Sequence, residues 1–93
     1  MRVAVLVFEL HIPGVTSLKG KRKVIKSLVQ RLRNRFNLSV SEIGYQDLWQ
    51  RAELGMAVVC YNGAGADSIM EKIFAFVEAE NGIEIIATRS ENY

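Results

Sequence analysis

Two segments of this chain, residues 2–12 and Ala52–Tyr61, are apolar on both sides of a two-residue alternation, and this limits the fold more than any other feature. In the first, one side carries Val3, Val5, Val7, Glu9 and His11, and the other Ala4, Leu6, Phe8, Leu10 and Ile12. The second runs through Met56-Ala57-Val58-Val59 without a polar residue. A strand with one face in water alternates apolar with polar residues, whereas a strand covered on both faces is apolar throughout. Both segments are therefore read as central strands of a sheet.

The remaining elements follow from turn signals and helical spacing. Pro13-Gly14 breaks the first strand. Thr16 or Ser17 offers a hydroxyl oxygen to cap a helix. Leu18, Val24, Ile25, Leu28, Val29, Leu32 and Phe36 then form one apolar stripe, which predicts a helix over Leu18–Phe36 ended by Asn37. Leu38–Tyr45 reads as a strand. Its alternation slips between Leu38-x-Val40 and Ile43-x-Tyr45, which predicts a bulge near Glu42. Gln46–Arg51 connects it to the strand at Ala52–Tyr61. Asn62-Gly63 opens a second helix over about residues 64–80, with Ala66, Ile69, Met70, Ile73, Phe76 and Val77 on its buried face. Asn81-Gly82 supplies a left-handed stop. Ile83 to Arg89 is a fourth strand, and the polar Ser90-Glu91-Asn92 is expected to fade out of it.

The order βαββαβ predicts an α+β, ferredoxin-like sandwich in a single domain, residues 1–93. Two right-handed βαβ units interleave into a four-stranded antiparallel sheet of spatial order 4-1-3-2, with both helices on one face. Strands one and three are central in that order, as their two-faced apolarity requires independently. The helices cover one sheet face only, so Val5 and Val7 would face water. The expectation is that a second copy of the chain covers the open face, making a homodimer.

An apolar content of 49% with 24% charged residues is that of a globular chain and excludes a disordered one. No apolar stretch approaches the roughly 20 residues of a membrane helix. The apolar start MRVAVLVFEL is followed by His11 and Pro13 rather than a small-residue cleavage site, so it reads as a strand and not a signal peptide. Cys60 is the single cysteine, which excludes an intramolecular disulfide and points to a reducing compartment. Within its apolar run it reads as a small buried hydrophobe. A cytoplasmic location is expected.

Charge is distributed unevenly. Eight of the twelve basic residues fall between Lys19 and Arg35: Lys19, Lys21, Arg22, Lys23, Lys26, Arg31, Arg33 and Arg35. No acidic residue lies among them. The segment carries +8, and the other four basic and ten acidic residues give −6, which recovers the net +2. Such an element points to a polyanionic or acidic partner. At about 100° per residue, Lys19, Arg22, Lys23, Lys26 and Arg33 fall within an arc of about 100° on one flank of the apolar stripe, with Arg31 and Arg35 on the other. The five form a ridge suited to a phosphate backbone. A charge run also describes an ordinary solvated helix face. Here the missing Glu removes the i,i+4 pairing that supports such faces, and like charges crowd instead.

Three further motifs are weaker. Asp47, Trp49 and Arg51 place a lone Trp between an acid and a base in a connection, and Trp and Arg are enriched at contact hot spots. They are read as a partner or dimer contact, against the alternative of a Trp closing the core over the sheet edge. Glu9 and His11 share a strand face, as a general acid–base pair requires. No nucleophile and no metal-ligand spacing accompany them, so they are read as structural. Gly63-Ala64-Gly65 is a fragment of a phosphate loop that lacks the third glycine and the Lys-Ser/Thr. No catalytic residue, metal site or cofactor is assigned.

The stretches ELHIPGVTSLKGKRKVIKSLVQRLRNRFNLSV and EIGYQDLWQRAELGMAVV closely resemble the bacterial YlxP-like proteins, a family of unknown function. The QDLWQRA and L-H-I-P-G…S-L-K-x-K-R blocks carry the resemblance, which spans nearly the whole chain. It implies a ferredoxin-like fold. Through the family's association with genes for translation and ribosome maturation, it also implies a role around RNA or the ribosome. It supplies no catalytic residues. Gly20, Gly63 and Gly65 depart from the family pattern at two helix starts, where each loosens the end by up to about 1 kcal/mol relative to alanine.

The expected function is a small non-enzymatic protein that binds structured RNA or a ribosomal particle through its first helix. Base-specific readout is not expected, because the strands lack the aromatic stacking motif of RNA-recognition sheets. A protein-interaction or small-ligand regulatory module using the open sheet face and Trp49 is the alternative. An acylphosphatase-like enzyme shares the fold and size. The loop His11–Ser17, however, lacks the Phe-Arg pair such an enzyme would carry there.

Overall fold

A computed structural model describes all residues, 1–93. The elements run β1 (Arg2–His11), α1 (Leu18–Arg35), β2 (Ser39–Gly44), β3 (Arg51–Cys60), α2 (Gly63–Glu78) and β4 (Glu84–Asn92). All strand pairs are antiparallel and the sheet order is β2-β3-β1-β4. This is the ferredoxin-like arrangement that the element order predicts, with the two doubly apolar strands at the centre. β1 and β3 pair along their whole length, from Arg2 opposite Cys60 to His11 opposite Arg51.

The core lies between one sheet face and the two helices. The even-numbered residues of β1 and β3, Ala4 to Leu10 and Ala52 to Val58, are buried there with Ile25, Leu28 and Leu32 of α1, Phe36 at its C-cap, and Ala66, Ile73 and Val77 of α2. Burying each large apolar side chain contributes about 1.5–3 kcal/mol. Phe36 meets Phe76 edge-on at 5.6 Å between ring centroids, joining the two helices at one end. Cys60 is half-buried against this core.

Local chemistry sets the element ends. Ser17 Oγ accepts from Gly20 N at 3.0 Å and caps α1. Asn62 Oδ1 accepts from Gly65 N at 2.8 Å and caps α2. Gly82 takes φ +78°, the left-handed stop expected after α2. The predicted bulge in β2 lies between Glu42 and Gly44. A second bulge lies between β1 and β4, where Glu9 opposes Ala87 and Leu10 opposes Ile85. One boundary is corrected. β4 does not fade after Arg89 but continues to Asn92, and Tyr93 exchanges both backbone hydrogen bonds with Val3. An edge strand needs backbone partners on one side only, so the polar side chains of Ser90, Glu91 and Asn92 do not stop it.

The opposite sheet face has no covering layer within the chain. Val3, Val5, Val7 and Ala57 are half-buried on it, Ile43 lies across Gly55, and Val59 is 69% exposed. Ion pairs flank this strip: Arg51 with Glu9, Arg89 with Glu53 at 3.8 Å, and His11 Nδ1 with Glu84 at 3.4 Å.

Candidate functional site

Helix α1 runs antiparallel along edge strand β2. Its first turns meet the end of β2, where Lys21 Nζ donates to the Tyr45 carbonyl and lies 2.8 Å from a Glu42 carboxylate oxygen. Its last turns meet the start of β2, where Arg33 donates to the Val40 carbonyl at 3.2 Å. On the other flank Arg31 pairs with Glu80, just beyond α2, and the Arg35 guanidinium stacks 5.4 Å from the Phe36 ring centre. These contacts fix the rotation of the helix. One flank faces α2, and the ridge flank is left outward over the β2 edge.

The eight cations of the segment therefore divide. Lys21, at 1% exposure, is buried in the apolar stripe between Leu18 and Ile25. Arg31 is held by its carboxylate partner. Arg33 is exposed but tied to the Val40 carbonyl. This blunts the β2 edge by occupying an acceptor that another strand would otherwise use. Arg35, also without a carboxylate partner, stacks on the Phe36 ring at the far end of the helix. Lys19, Arg22, Lys23 and Lys26 remain. All four are exposed, and none has a carboxylate within salt-bridge distance. They occupy the N-terminal half of α1, whose first turn holds no acidic residue. Positive charge in the first turn opposes the helix dipole, so Lys19 lowers stability by about 0.3–1 kcal/mol, and Arg22, Lys23 and Lys26 add like-charge crowding.

The second candidate group lies beside the same helix end. Gln50 Nε2 donates to the carbonyls of Pro13 (3.2 Å) and Val15 (3.1 Å), and Ile12 N donates to Gln50 O at 2.8 Å. The 45–50 loop is thereby fastened to the segment that leads into the Ser17 cap. Lys21 fastens it again through Tyr45, which sits at φ 58°. A non-glycine residue in that region is strained and persists only where its surroundings hold it. Here two contacts do so: Lys21 on its carbonyl and the Arg51 guanidinium 5.2 Å from its ring centre.

The predicted contact set Asp47, Trp49 and Arg51 is consequently split. Arg51 starts β3 and is engaged by Glu9 and the Tyr45 ring. Asp47 and Trp49 are exposed on the loop, Trp49 at 53%. Residues Asp47 to Arg51 line a shallow open depression of about 400 Å³. Trp49 does not fold over the sheet edge to close the core.

Glu9 and His11 do not face one another as an acid–base couple. Each pairs with a different neighbour, Arg51 and Glu84. Gly63 and Gly65 lie in the first turn of α2, which Asn62 caps. No group of three or more His, Cys, Asp or Glu side chains lies close enough to hold a metal ion. No helix is long and apolar enough to cross a membrane. Lys21 with Glu42 is the pair that reading the sequence missed. A signal was available, because position 21 falls at the angular centre of the stripe formed by Ile25, Leu28 and Leu32.

A family model described as "Protein of unknown function (DUF503)" matches residues 3–90. The uncharacterized protein YlxP of Bacillus subtilis (strain 168) is 43% identical over 75 residues, covering 81% of this chain and 82% of that protein. The chain belongs to this family.

Proposed function

We propose that this DUF503-family protein is a non-enzymatic RNA-binding protein that docks structured RNA or a ribosomal particle on the N-terminal half of α1. One observation carries the reading: Lys19, Arg22, Lys23 and Lys26 are exposed, unpaired and crowded together in the N-terminal half of the helix, with Lys19 in the first turn where positive charge is least favourable. Charge placed against the stability of its own element calls for an external anion. The free cations from Lys19 to Lys26 span about 10 Å, well under one turn of a duplex (about 34 Å in B-DNA), so they follow the phosphates along one side of a single groove. Recognition rests on shape and charge. The single cysteine supports a cytoplasmic setting for this proposed activity.

The test is retention on total ribosomal RNA and on purified ribosomal subunits as salt is raised. Four phosphate contacts give a slope of log K against log salt near −3.6, or roughly a 150-fold loss between 50 and 200 mM. Replacing Lys19 and Arg22 with Gln halves the slope and leaves roughly a 12-fold loss. Replacing all four with Gln abolishes salt-dependent retention. An unchanged slope in that variant sinks the reading, and turnover of an acyl phosphate by the purified protein sinks its non-enzymatic part.

A second copy is the proposed cover for the open sheet face. The apolar strip of Val3, Val5, Val7 and Val59 supports this, because its neighbouring charges (Glu9 with Arg51, Glu53 with Arg89) are already paired within the chain and leave no net charge to repel a second copy. Sedimentation across a concentration series is expected to show a dimer that Val59→Asp dissociates. A monomer at every concentration would overturn it.

A further inference from the structure

Trp49 has no use within the fold. Its indole stacks on no aromatic ring and no cation, and its nitrogen makes no hydrogen bond. More than half of its surface is exposed, and it lines the depression formed by residues 47–51. Tyr45, on the same loop, has one ring face taken by Arg51. The other strongly exposed aromatics, Tyr61 and Tyr93, follow the β3 end and the β4 end, at the opposite end of the sheet.

The loop that presents Trp49 is not free to move away. Gln50 is fixed to Pro13 and Val15, and the Tyr45 carbonyl is fixed by Lys21. The free cations begin at Lys19, in the first turn of the helix that this segment leads into. An aromatic platform joined rigidly to a cationic track is the arrangement that binds unpaired nucleotides: the phosphates follow the cations and a base stacks on the ring. Stacking tolerates any base, which suits a site with no base-edge readers. Asp47 beside the platform disfavours a phosphate there, so the group that occupies the depression is the base.

We infer that Trp49 stacks on an unpaired nucleotide flanking the phosphate backbone held by α1, so the preferred ligand is RNA with a duplex next to a single-stranded end or bulge. This rests on the reading proposed above, that the ridge holds an RNA backbone. Trp49 is the only tryptophan, so its fluorescence reports on this contact alone.

The experiment compares a blunt RNA duplex with the same duplex carrying a three-nucleotide overhang. It is run on the intact protein, Trp49→Ala and Trp49→Phe. The overhang ligand is expected to quench Trp49 emission and to bind about 5- to 150-fold more tightly than the blunt one, the range of a single base–aromatic stack. Trp49→Ala removes that preference and leaves blunt-duplex binding unchanged, while Trp49→Phe keeps part of it. Equal binding of both ligands, or a preference that survives Trp49→Ala, overturns this inference and leaves the ridge reading standing. Failure of both ligands to bind at low salt overturns the ridge reading, and this inference with it.

Discussion

Replacing Lys21 with Ala separates the cation that holds the fold from those that face solvent. Lys21 is almost wholly buried, and its ammonium serves both the Glu42 carboxylate and the Tyr45 carbonyl. Removing one partner of a buried ion pair costs about 3–5 kcal/mol, because the other charge stays behind unpaired. Glu42 keeps about one-fifth of its side-chain surface in water, at 20% exposure, which lowers the cost. The Tyr45 carbonyl also loses its donor, in a residue already at positive φ. Together these give about 2–4 kcal/mol, a large part of the 5–15 kcal/mol that stabilises a typical domain. Urea unfolding is expected to show a lower midpoint at unchanged m, and a melting temperature lower by roughly 10–30 °C. Lys23→Gln, two residues away and exposed, stays within about 0.5 kcal/mol. Removing both charges in Lys21→Met with Glu42→Leu recovers most of the loss, since no unpaired charge remains. If Lys21→Ala costs no more than Lys23→Gln, Lys21 is not the tether between α1 and the 45–50 loop.

Replacing Lys19, Arg22, Lys23 and Lys26 with Gln is expected to raise stability by a few tenths of a kcal/mol per residue, since it relieves like-charge crowding and, at Lys19, the unfavourable dipole. A clear fall in melting temperature would show that these side chains support the fold. Gly82→Ala costs about 1 kcal/mol from backbone conformation alone, because φ is +78° and a Cβ there meets nothing within 4 Å. Equal stability of that variant in urea would refute the left-handed stop. Tyr93 has its pKa raised above 10, first by its hydrogen bond to Glu91 and then by that carboxylate's charge. The folded state thus holds this proton more tightly than the unfolded state. The contribution is present below pH 10 and is lost as pH rises through the raised value. Absorbance titration is expected to show one of the three tyrosines ionising late, and Glu91→Gln abolishes the delay.

Most of the fold was legible because its signals are local. The two-faced apolarity of residues 2–12 and 52–61 placed β1 and β3 at the centre, and the sheet order β2-β3-β1-β4 agrees. Ser17, Asn62 and Gly82 act at the helix ends where their chemistry places them. The end of β4 was misread because side-chain polarity says little about an edge strand. Residues 90–92 pair through backbone groups whose partner, β1, is some eighty residues away in the chain. The bulge opposite Glu9 and Leu10 likewise depends on that partner's register and leaves no mark in the sequence of β4 alone.

The candidate site was legible only as a population of charges. Helical spacing set Lys19, Arg22, Lys23, Lys26 and Arg33 on one flank, but the task of each cation depends on what packs against it. Arg33 reaches Val40, and Arg31 reaches Glu80, because β2 and α2 lie on opposite sides of α1. Lys21 shows the same limit in sharper form. Its position in the apolar stripe says that it is buried, and burial of an ammonium requires an acceptor, yet ten carboxylates are available and nothing local selects Glu42. The choice is made by the antiparallel run of α1 along β2. That packing also brings the 45–50 loop, which carries Trp49, to the start of the helix that carries the free cations. Trp49 and the ridge look like separate features in the sequence because about thirty residues divide them. The buried lysine ties the loop of Trp49 to the helix of the ridge, so under the function proposed above a change at Lys21 is expected to disturb RNA binding without Lys21 touching RNA. Lys21→Ala, assayed well below its own melting temperature, should lose the overhang preference while its salt slope falls by no more than one contact.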